Sequence, residues 1–343
     1  MRSEPDSPLF PRAGGEAGMR DACAAPPTVS RLAAGRGRAF MLPFACFIIS
    51  GWYLLTMSGR SDWFRLWPAP GKINLFLHVT GRRADGYHLL QTVFRFLDHG
   101  DTLRFAPRDD DRIVLVTPLP GVPDAQHLAV RAAHALREAA VRIDPAAARL
   151  GACLQVEKRL PLGGGLGGGS SDAATTLIAL NHLWGTRLSR EQLKRIALPL
   201  GADVPVFIHG HTAFAEGVGE VFTDVTPRPA WYLVLIPPVA VPTAQIFTSP
   251  GLCRDTLAIL PTHWHDGFGH NDLESVASAL YPQVAEYLSW LRQWGDARMS
   301  GSGACCFVAF ERADAAHEAW KSLPCGMDGF VAQGMDQHPL IFI

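Results

Sequence analysis

The stretch from Leu160 to Ala174 reads LPLGGGLGGGSSDAA and contains six glycines between positions 163 and 169. Glycines let a backbone approach a phosphate closely, and N–H groups at a helix N-terminus supply donors together with the positive end of the helix dipole. A strand is predicted before the glycines over 152–158, and a helix after them, capped by Ser170 or Ser171. This order predicts a phosphate-binding loop that leads into a helix.

The loop differs from the two commonest phosphate motifs. The P-loop pattern G-x-x-x-x-G-K-[ST] needs a lysine after its last glycine, where this chain has Ser170. The dinucleotide fingerprint needs a parallel β-α-β unit with an acidic residue at the right distance, and the sequence after the loop does not supply it. A flexible linker is the alternative, but six glycines would cost conformational entropy without any gain.

Strands and helices are mixed along the chain without regular parallel β-α-β units, which predicts an α+β fold in two layers. Strands are predicted at 72–80, 87–97, 102–106, 112–116, 152–158, 204–208, 213–215, 231–236, 304–310 and 329–332. Helices are predicted at 127–140, after the glycine run, and at 189–200, 270–294 and 313–323. The turn signal Asp85-Gly86 joins the first two strands, and we expect the first four to form an antiparallel meander.

Composition favours a folded protein whose net charge is close to zero. The 343 residues are 48% hydrophobic and 18% charged, and 31 basic against 32 acidic residues leave a net charge of -1. No overall field favours nucleic acid or an anionic membrane, so we expect no nucleic-acid partner. The seven cysteines include no C-x-x-C pair, which favours inert thiols in a reducing cytoplasm over a disulfide framework.

Lys72 and Asp203 are the best candidates for chemistry on a bound polyphosphate. Phosphoryl transfer needs one group to handle the acceptor hydroxyl and a cation to neutralise developing charge. Lys72 follows the rigid segment 68–71 at the entry to the first strand, an unusual place for a solvated lysine. Asp203 precedes an apolar run, so we expect partial burial and a partner. A surface lysine and an aspartate with a turn or capping role remain the alternatives.

The second glycine cluster, Ser300-Gly301-Ser302-Gly303, lies before an apolar strand and fits a tight turn as well as a ligand contact. The 13 histidines show no H-x-x-x-H or H-E-x-x-H spacing, so a dedicated metal cage is not expected. We expect Mg²⁺ to arrive with a nucleotide and to be held partly by Ser170 or Ser171.

Three segments resemble the motifs of the kinase superfamily that includes galactokinase, homoserine kinase, mevalonate kinase and phosphomevalonate kinase. They are PAPGKINL at 68–75, LPLGGGLGGGSSDAA at 160–174 and SGSGACCF at 300–307. Further stretches at 81–103, 201–207 and 213–220 are similar to the branch that acts on a cytidine-diphosphate-linked methylerythritol. The resemblance covers about residues 65–343.

The resemblance implies a two-domain fold and a specific reaction. The expected N-terminal domain, 63–226, has a mixed or antiparallel sheet with helices and binds ATP, and the expected C-terminal domain, 227–343, is ferredoxin-like α+β. The implied activity is ATP-dependent phosphorylation of the 2-hydroxyl of that cytidyl substrate, in the non-mevalonate route to isoprenoid precursors. The implied enzyme is cytoplasmic, uses Mg²⁺, and is a monomer or homodimer.

The resemblance also implies roles for individual residues. Lys72 and Asp203 become the catalytic pair, and Asn74 reaches the acceptor. Tyr87 and His88 hold the cytosine, one by stacking and the other by hydrogen bonding, and Phe247 covers the base from the other side. The implied nucleotide-binding residues are Lys158, Pro161, Leu162, Gly163, Gly164, Gly165, Leu166, Gly167, Gly168, Gly169, Ser170 and Ser171. A related kinase for another small alcohol and a non-catalytic nucleotide-binding protein remain the alternative functions.

The first 62 residues differ from the rest and are interpreted as an N-terminal extension. Residues 1–38 are rich in Pro, Gly, Ala and Arg without periodicity, which is typical of disorder. Residues 39–57 run without a charge, long enough for a membrane span, although Pro43 and Gly51 weaken a helix there. A membrane anchor, a core element, and a translated upstream region before a start near Met57 remain open. We favour the last.

Overall fold

Two long paired strands carry the predicted catalytic lysine. The protein is described here from a computed structural model, which describes residues 62–343. Strand β1 (Trp67–Arg82) pairs antiparallel with β2 (His88–Arg108). At the turn Gly86 has φ 91°, a conformation that favours glycine, and its N–H donates to the Arg83 carbonyl at 3.0 Å. The predicted hairpin turn is confirmed.

The predicted four-stranded meander is wrong in two respects. The strands expected at 87–97 and 102–106 are one strand, β2, because Gly100 and Asp101 stay in register with Pro70 and Ala69. The strand β3 (Ile113–Leu115) does not pair with β2. It pairs in parallel with β4 (Gly151–Glu157), and β4 in turn pairs antiparallel with β2.

The remaining strands complete one mixed sheet of ten strands. They are β5 (Ala213–Glu216), β6 (Val221–Asp224), β7 (Trp231–Leu235), β8 (Arg298–Met299), β9 (Cys306–Phe310) and β10 (Gly329–Met335). The main strand order is β3-β4-β2-β10-β7-β9-β8, and β1 and β5 also pair with β2. Because β10 pairs with both β2 and β7, it joins the two parts of the sheet.

Four helices pack with the first part of the sheet. They are α1 (Leu128–Val141), α2 (Gly168–Leu183), α3 (Arg190–Ala197) and α4 (Val204–His209). Helix α2 contacts α1, α4 and β1, and its fully buried Leu177 and Leu180 lie in the same core as Leu136 and Phe207. Burial of such side chains contributes roughly 1.5–3 kcal/mol each. The glycine run is therefore followed by a helix that is anchored in the core.

The second part of the sheet has a ferredoxin-like arrangement. Its helices are α5 (Thr243–Thr248), α6 (Asp272–Leu280), α7 (Pro282–Leu291) and α8 (Ala313–Lys321). With α5–α7 as the first connection, the order is β-α-β-β-α-β, and the four antiparallel strands lie in the order β10-β7-β9-β8. The predicted α+β fold with a ferredoxin-like C-terminal part is confirmed.

Three local predictions are wrong for identifiable reasons. The segment 204–208 is helix rather than strand, since Pro205 suits a first helical turn and Gly210 ends the helix with φ 82°. The helix expected over 270–294 is divided into α6 and α7 by Pro282, which occupies the first turn of the second helix. Helix α2 begins earlier than expected, with Gly167 as its N-cap, so neither Ser170 nor Ser171 caps it.

Within residues 62–343, no helix combines the length and apolar composition that crossing a bilayer requires. The apolar segment 39–57 and the stretch 1–38 lie outside the described residues. The domain boundary near residue 227 stays a prediction.

Candidate active site

The glycine run, β1 and the start of α4 line one cleft of about 460 Å³. This volume lies within the range of small-molecule sites. The cleft brings together Lys72, Asn74 and Asp203 with most of the predicted nucleotide-binding residues. Those are Lys158, Pro161, Leu162, Gly163, Gly164, Gly165, Gly167, Gly168, Gly169 and Ser170. Leu166 and Ser171 are buried and do not line it.

Backbone hydrogen bonds fix the glycine run between two other segments. The Leu166 carbonyl accepts from the Lys72 N–H at 2.9 Å, and the Gly164 carbonyl accepts from the Cys305 N–H at 3.0 Å. The Ser300 hydroxyl donates to the Gly165 carbonyl at 2.9 Å. The glycine run is therefore held in place by β1 on one side and by the segment 300–305 on the other.

The cluster 300–303 forms a tight turn, as its sequence allowed, and it also lines the cleft. A turn hydrogen bond runs from the Gly303 N–H to the Ser300 carbonyl at 3.0 Å, while Gly301 and Ser302 line the cleft. The side chain of Asn271, which sequence reasoning missed, donates to the Gly301 carbonyl at 2.8 Å and also caps α6. An asparagine just before a helix was the available signal.

Helix α2 directs its N-terminus toward the cleft lining. Gly167 is its N-cap with φ 71°, and a Cβ there would lie 3.1 Å from atoms of Lys72 and Phe207. The first N–H groups of a helix have no intrahelical partner, and those of Gly168 and Gly169 belong to residues that line the cleft. These donors can receive an anionic ligand.

Lys72 and Asp203 form an ion pair in this cleft. The distance from Lys72 Nζ to Asp203 Oδ2 is 3.0 Å, and the side chains are 2% and 34% exposed, respectively. Lys72 Nζ also donates to Asn74 Oδ1 at 2.8 Å, and Asn74 Nδ2 donates to Thr92 Oγ1 at 2.9 Å. The alternative of a solvated surface lysine is excluded. Thr92, which sequence reasoning missed, orients Asn74, and Asn74 in turn orients Lys72.

Lys158 lies beneath the glycine run between two buried carboxylates that carried no recognisable sequence signal. Its Nζ donates to Asp172 Oδ2 at 2.8 Å and to Asp101 Oδ2. Asp101 Oδ1 also accepts from the backbone N–H groups of Arg159 and Leu160, at 2.6 and 2.9 Å. Lys158 lines the cleft, but two carboxylates share its charge, and they fix the chain where it enters the loop.

Two buried carboxylates beside one ammonium favour retention of a proton. Burial raises the pKa of Asp172 from 3.8 to about 7, and the Asp101 charge adds to the rise while Lys158 opposes it. Asp101 keeps two backbone donors, so the retained proton is assigned to Asp172. Between about pH 4 and pH 7, the native protein thus retains a proton that the unfolded chain has already released.

We therefore expect the free energy of unfolding of Asp172→Asn to increase relative to that of the parent protein as pH rises. The free energy of unfolding falls in the parent as pH increases through this window, whereas the uncharged asparagine does not titrate. The difference between variant and parent should grow by on the order of 2 kcal/mol between pH 5 and pH 7. Urea unfolding at several pH values measures it. A difference that stays constant over this pH range for Asp172→Asn would contradict the assignment.

Two of the predicted base-binding residues, His88 and Phe247, lie against each other. The rings of His88 and Phe247 stack with their centroids 4.9 Å apart at an interplanar angle of 29°. Phe247 lines the cleft, whereas Tyr87 and His88 do not, and Tyr87 is 64% exposed. A base therefore has no room between His88 and Phe247. The face of Phe247 that His88 leaves uncovered and the exposed Tyr87 are the surfaces available for stacking.

The cysteines that the structure describes are free thiols. Cys305 and Cys306 are fully buried, and burial raises the pKa of Cys305 to about 12 and that of Cys306 well above its usual value. Both stay protonated at neutral pH and are unreactive. The doubled cysteine next to the cleft therefore has a packing role.

Comparisons with known proteins identify the family of this chain. The family model for the GHMP kinases N terminal domain matches residues 127–211, and the model for the GHMP kinases C terminal region matches residues 259–328. The 4-diphosphocytidyl-2-C-methyl-D-erythritol kinase of Dechloromonas aromatica (strain RCB) is 58% identical over 276 residues, covering 80% of this chain and 98% of that protein. The kinase of the same name from Thiobacillus denitrificans (strain ATCC 25259 / T1) is 56% identical over 273 residues, covering 80% and 96%.

A solved structure agrees as well. A crystal structure of 4-(cytidine 5'-diphospho)-2C-methyl-D-erythritol kinase matches with a TM-score of 0.68 and 33% identity, covering 79% of this chain and 99% of that chain. The chain thus spans nearly the whole length of these relatives. It belongs to the GHMP kinases and, within them, to the family of 4-diphosphocytidyl-2-C-methyl-D-erythritol kinases.

Proposed function

We propose that the protein transfers the γ-phosphoryl group of ATP to the 2-hydroxyl of 4-diphosphocytidyl-2-C-methyl-D-erythritol, a step in isoprenoid precursor biosynthesis. The observation that carries the proposal is the Lys72–Asp203 ion pair at 3.0 Å, in a cleft that also contains the glycine run and Phe247. The extensive identity to kinases of that name supports the substrate.

In the proposed reaction Asp203 receives or orients the proton of the acceptor hydroxyl. The hydroxyl oxygen forms a bond to the γ-phosphorus, the bond from that phosphorus to the bridging oxygen breaks, and ADP leaves. The Lys72 ammonium has three N–H donors, of which Asn74 and Asp203 engage two. The third can donate to a phosphoryl oxygen as negative charge develops.

The glycine run holds the nucleotide phosphates in this proposal. Free N–H groups at the start of α2 act as donors, and the glycines allow close approach. Among residues 62–343, no group of three His, Cys, Asp or Glu side chains is placed to hold a metal ion. Mg²⁺ would be carried by the phosphates, with the Ser170 hydroxyl as a protein ligand, and would neutralise phosphate charge.

The aromatic end of the cleft supplies the acceptor site. Phe247 and Tyr87 offer stacking surfaces for the cytosine, and His88 offers a polar contact to its edge. The exposed free thiols of Cys253 and Cys325 are compatible with the reducing cytoplasm that we propose as the location. A monomeric or homodimeric state stays a prediction.

The test is phosphoryl transfer by the purified full-length protein with ATP, Mg²⁺ and the cytidyl substrate. We expect ADP release that requires this substrate, and ³¹P NMR of the product should place the new phosphate on the 2-hydroxyl. Mevalonate and homoserine serve as control acceptors. Turnover of either control with the cytidyl compound ignored would contradict the proposal, and nucleotide binding without turnover of any acceptor would favour a non-catalytic role.

A further inference from the structure

Arg254, on the segment after α5, contacts His88, whose ring stacks on Phe247 at the cleft. Its Nε–H donates to His88 Nε2 at 3.2 Å. An arginine side chain is always protonated and can only donate hydrogen bonds. His88 Nε2 must therefore accept, which leaves the single proton of the neutral ring on Nδ1.

The surroundings of His88 keep the ring neutral and fixed in orientation. Burial lowers the pKa of His88, and the positive charges of Arg254 and Arg82 lower it further. Stacking on Phe247 fixes the ring plane, and the Arg254 contact fixes its rotation within that plane. Among residues 62–343, the Nδ1–H group of His88 has no hydrogen-bond acceptor, so it remains available to a ligand.

We propose that Arg254 is a positioning residue that holds His88 in the Nδ1–H tautomer, and that this donor selects cytosine over uracil. The inference rests on the proposed function, because it assumes a pyrimidine at this end of the cleft. At the ring nitrogen of its pairing edge cytosine carries an acceptor, whereas uracil carries an N–H donor. A histidine that is free to change tautomer could satisfy either base. A histidine locked as a donor matches cytosine and leaves two donors facing each other with uracil.

Arg254 also has a structural role, which the experiment must separate from tautomer control. Its two terminal nitrogens donate to the carbonyls of Leu252, Phe247 and Ser249 at 2.9, 2.9 and 2.6 Å. These bonds hold the segment that carries Phe247. Their loss would weaken stacking with either pyrimidine to a similar extent, whereas loss of the tautomer lock changes the preference between them.

The measurement is the ratio of the dissociation constants of UDP and CDP for the full-length protein. Isothermal titration is carried out with the nucleotide site saturated by a nonhydrolysable ATP analogue. We expect Arg254→Met to lower the preference for CDP by about tenfold. Tyr281→Phe is the matched control, because it removes the 2.6 Å bond from Tyr281 to Gln245 on α5 without contact to His88. It should leave the ratio unchanged.

Two further measurements make the role specific. In a His88→Ala background, Arg254→Met should not alter the ratio any further, since the two residues act in series. In the parent protein labelled with ¹⁵N-histidine, the His88 signal, identified by its loss in His88→Ala, should have the shifts of the Nδ1–H tautomer. This second measurement stands even if Arg254→Met does not fold.

The outcomes separate this inference from the proposed function. Failure of the parent to bind CDP would contradict the proposed function itself. A clear CDP preference that Arg254→Met leaves unchanged, or an Nε2–H ring in the parent, would overturn the role of Arg254 while the kinase assignment stands.

Discussion

Asp203→Asn is expected to lower kcat by about 10³-fold while the affinity for ATP changes little. Positioned general bases contribute roughly 10²–10⁴-fold, and an amide cannot accept the hydroxyl proton. Asparagine has nearly the same shape as aspartate and can still accept a hydrogen bond from Lys72, which is 2% exposed. In the proposed function the glycine run binds the nucleotide through backbone N–H donors, so this binding should not depend on the carboxylate of Asp203.

Turnover is measured by ADP release under saturating substrates, and ATP affinity by isothermal titration. Asp224→Asn is the matched control, because Asp224 also pairs with a side chain, His209 at 2.6 Å, but does not line the cleft. The control should keep parental kcat. Undiminished turnover in Asp203→Asn would exclude Asp203 as the proton acceptor. A large loss of ATP affinity together with kcat would instead indicate a structural role.

The sequence predicted which residues line the cleft better than it predicted the contacts that support them. The glycine run, Lys72 and Asp203 could be identified because phosphate binding and phosphoryl transfer demand particular residue types. The structure then joins residues far apart in the chain, because Lys72 enters on β1 and Asp203 is the N-cap of α4. Their proximity depends on tertiary packing, which no local pattern encodes.

The supporting residues were missed because each is unremarkable in its own segment. Asp101 lies within a long strand and Asp172 within the first turns of α2, and only the fold places both against Lys158. Thr92 and Arg254 likewise form side-chain hydrogen bonds with partners on other elements. Residues that support a site residue in this way can be identified only when burial and hydrogen bonding are known.

The errors in secondary structure have a common physical origin. A short apolar run such as 204–208 suits a buried strand and a buried helix equally, and here burial on all sides made the pattern uninformative. Pro282 and Gly210 are recognisable sequence signals for a helix break and a helix end, respectively. By contrast, the capping box of α3, formed by Ser189 and Gln192, depends on neighbouring residues only, and the helix start was predicted correctly.

Gly165→Ala is expected to lower kcat/KM for ATP by about 10²-fold or more, whereas Gly163→Ala has a small effect. Both glycines lie in the left-handed region, at φ 76° and 66°, so alanine costs each roughly 1–2 kcal/mol in backbone strain. Only Gly165 also faces a collision. A Cβ there would lie 2.1 Å from the Ser300 carbonyl oxygen, while a Cβ at Gly163 would meet nothing within 4 Å.

The collision cannot be relieved by a side-chain movement, because the opposing atom belongs to the backbone. Relief requires the glycine run to move away from the 300–303 turn, which breaks the bond from the Ser300 hydroxyl to the Gly165 carbonyl. A displacement of about 1 Å at a phosphate-binding loop is enough to cost about 10²-fold in rate. Steady-state kinetics with thermal unfolding of both variants measures the difference. Because the two substitutions share the backbone strain, equal losses would mean that strain alone sets the requirement for glycine. The contact between the two glycine clusters would then not shape the phosphate loop.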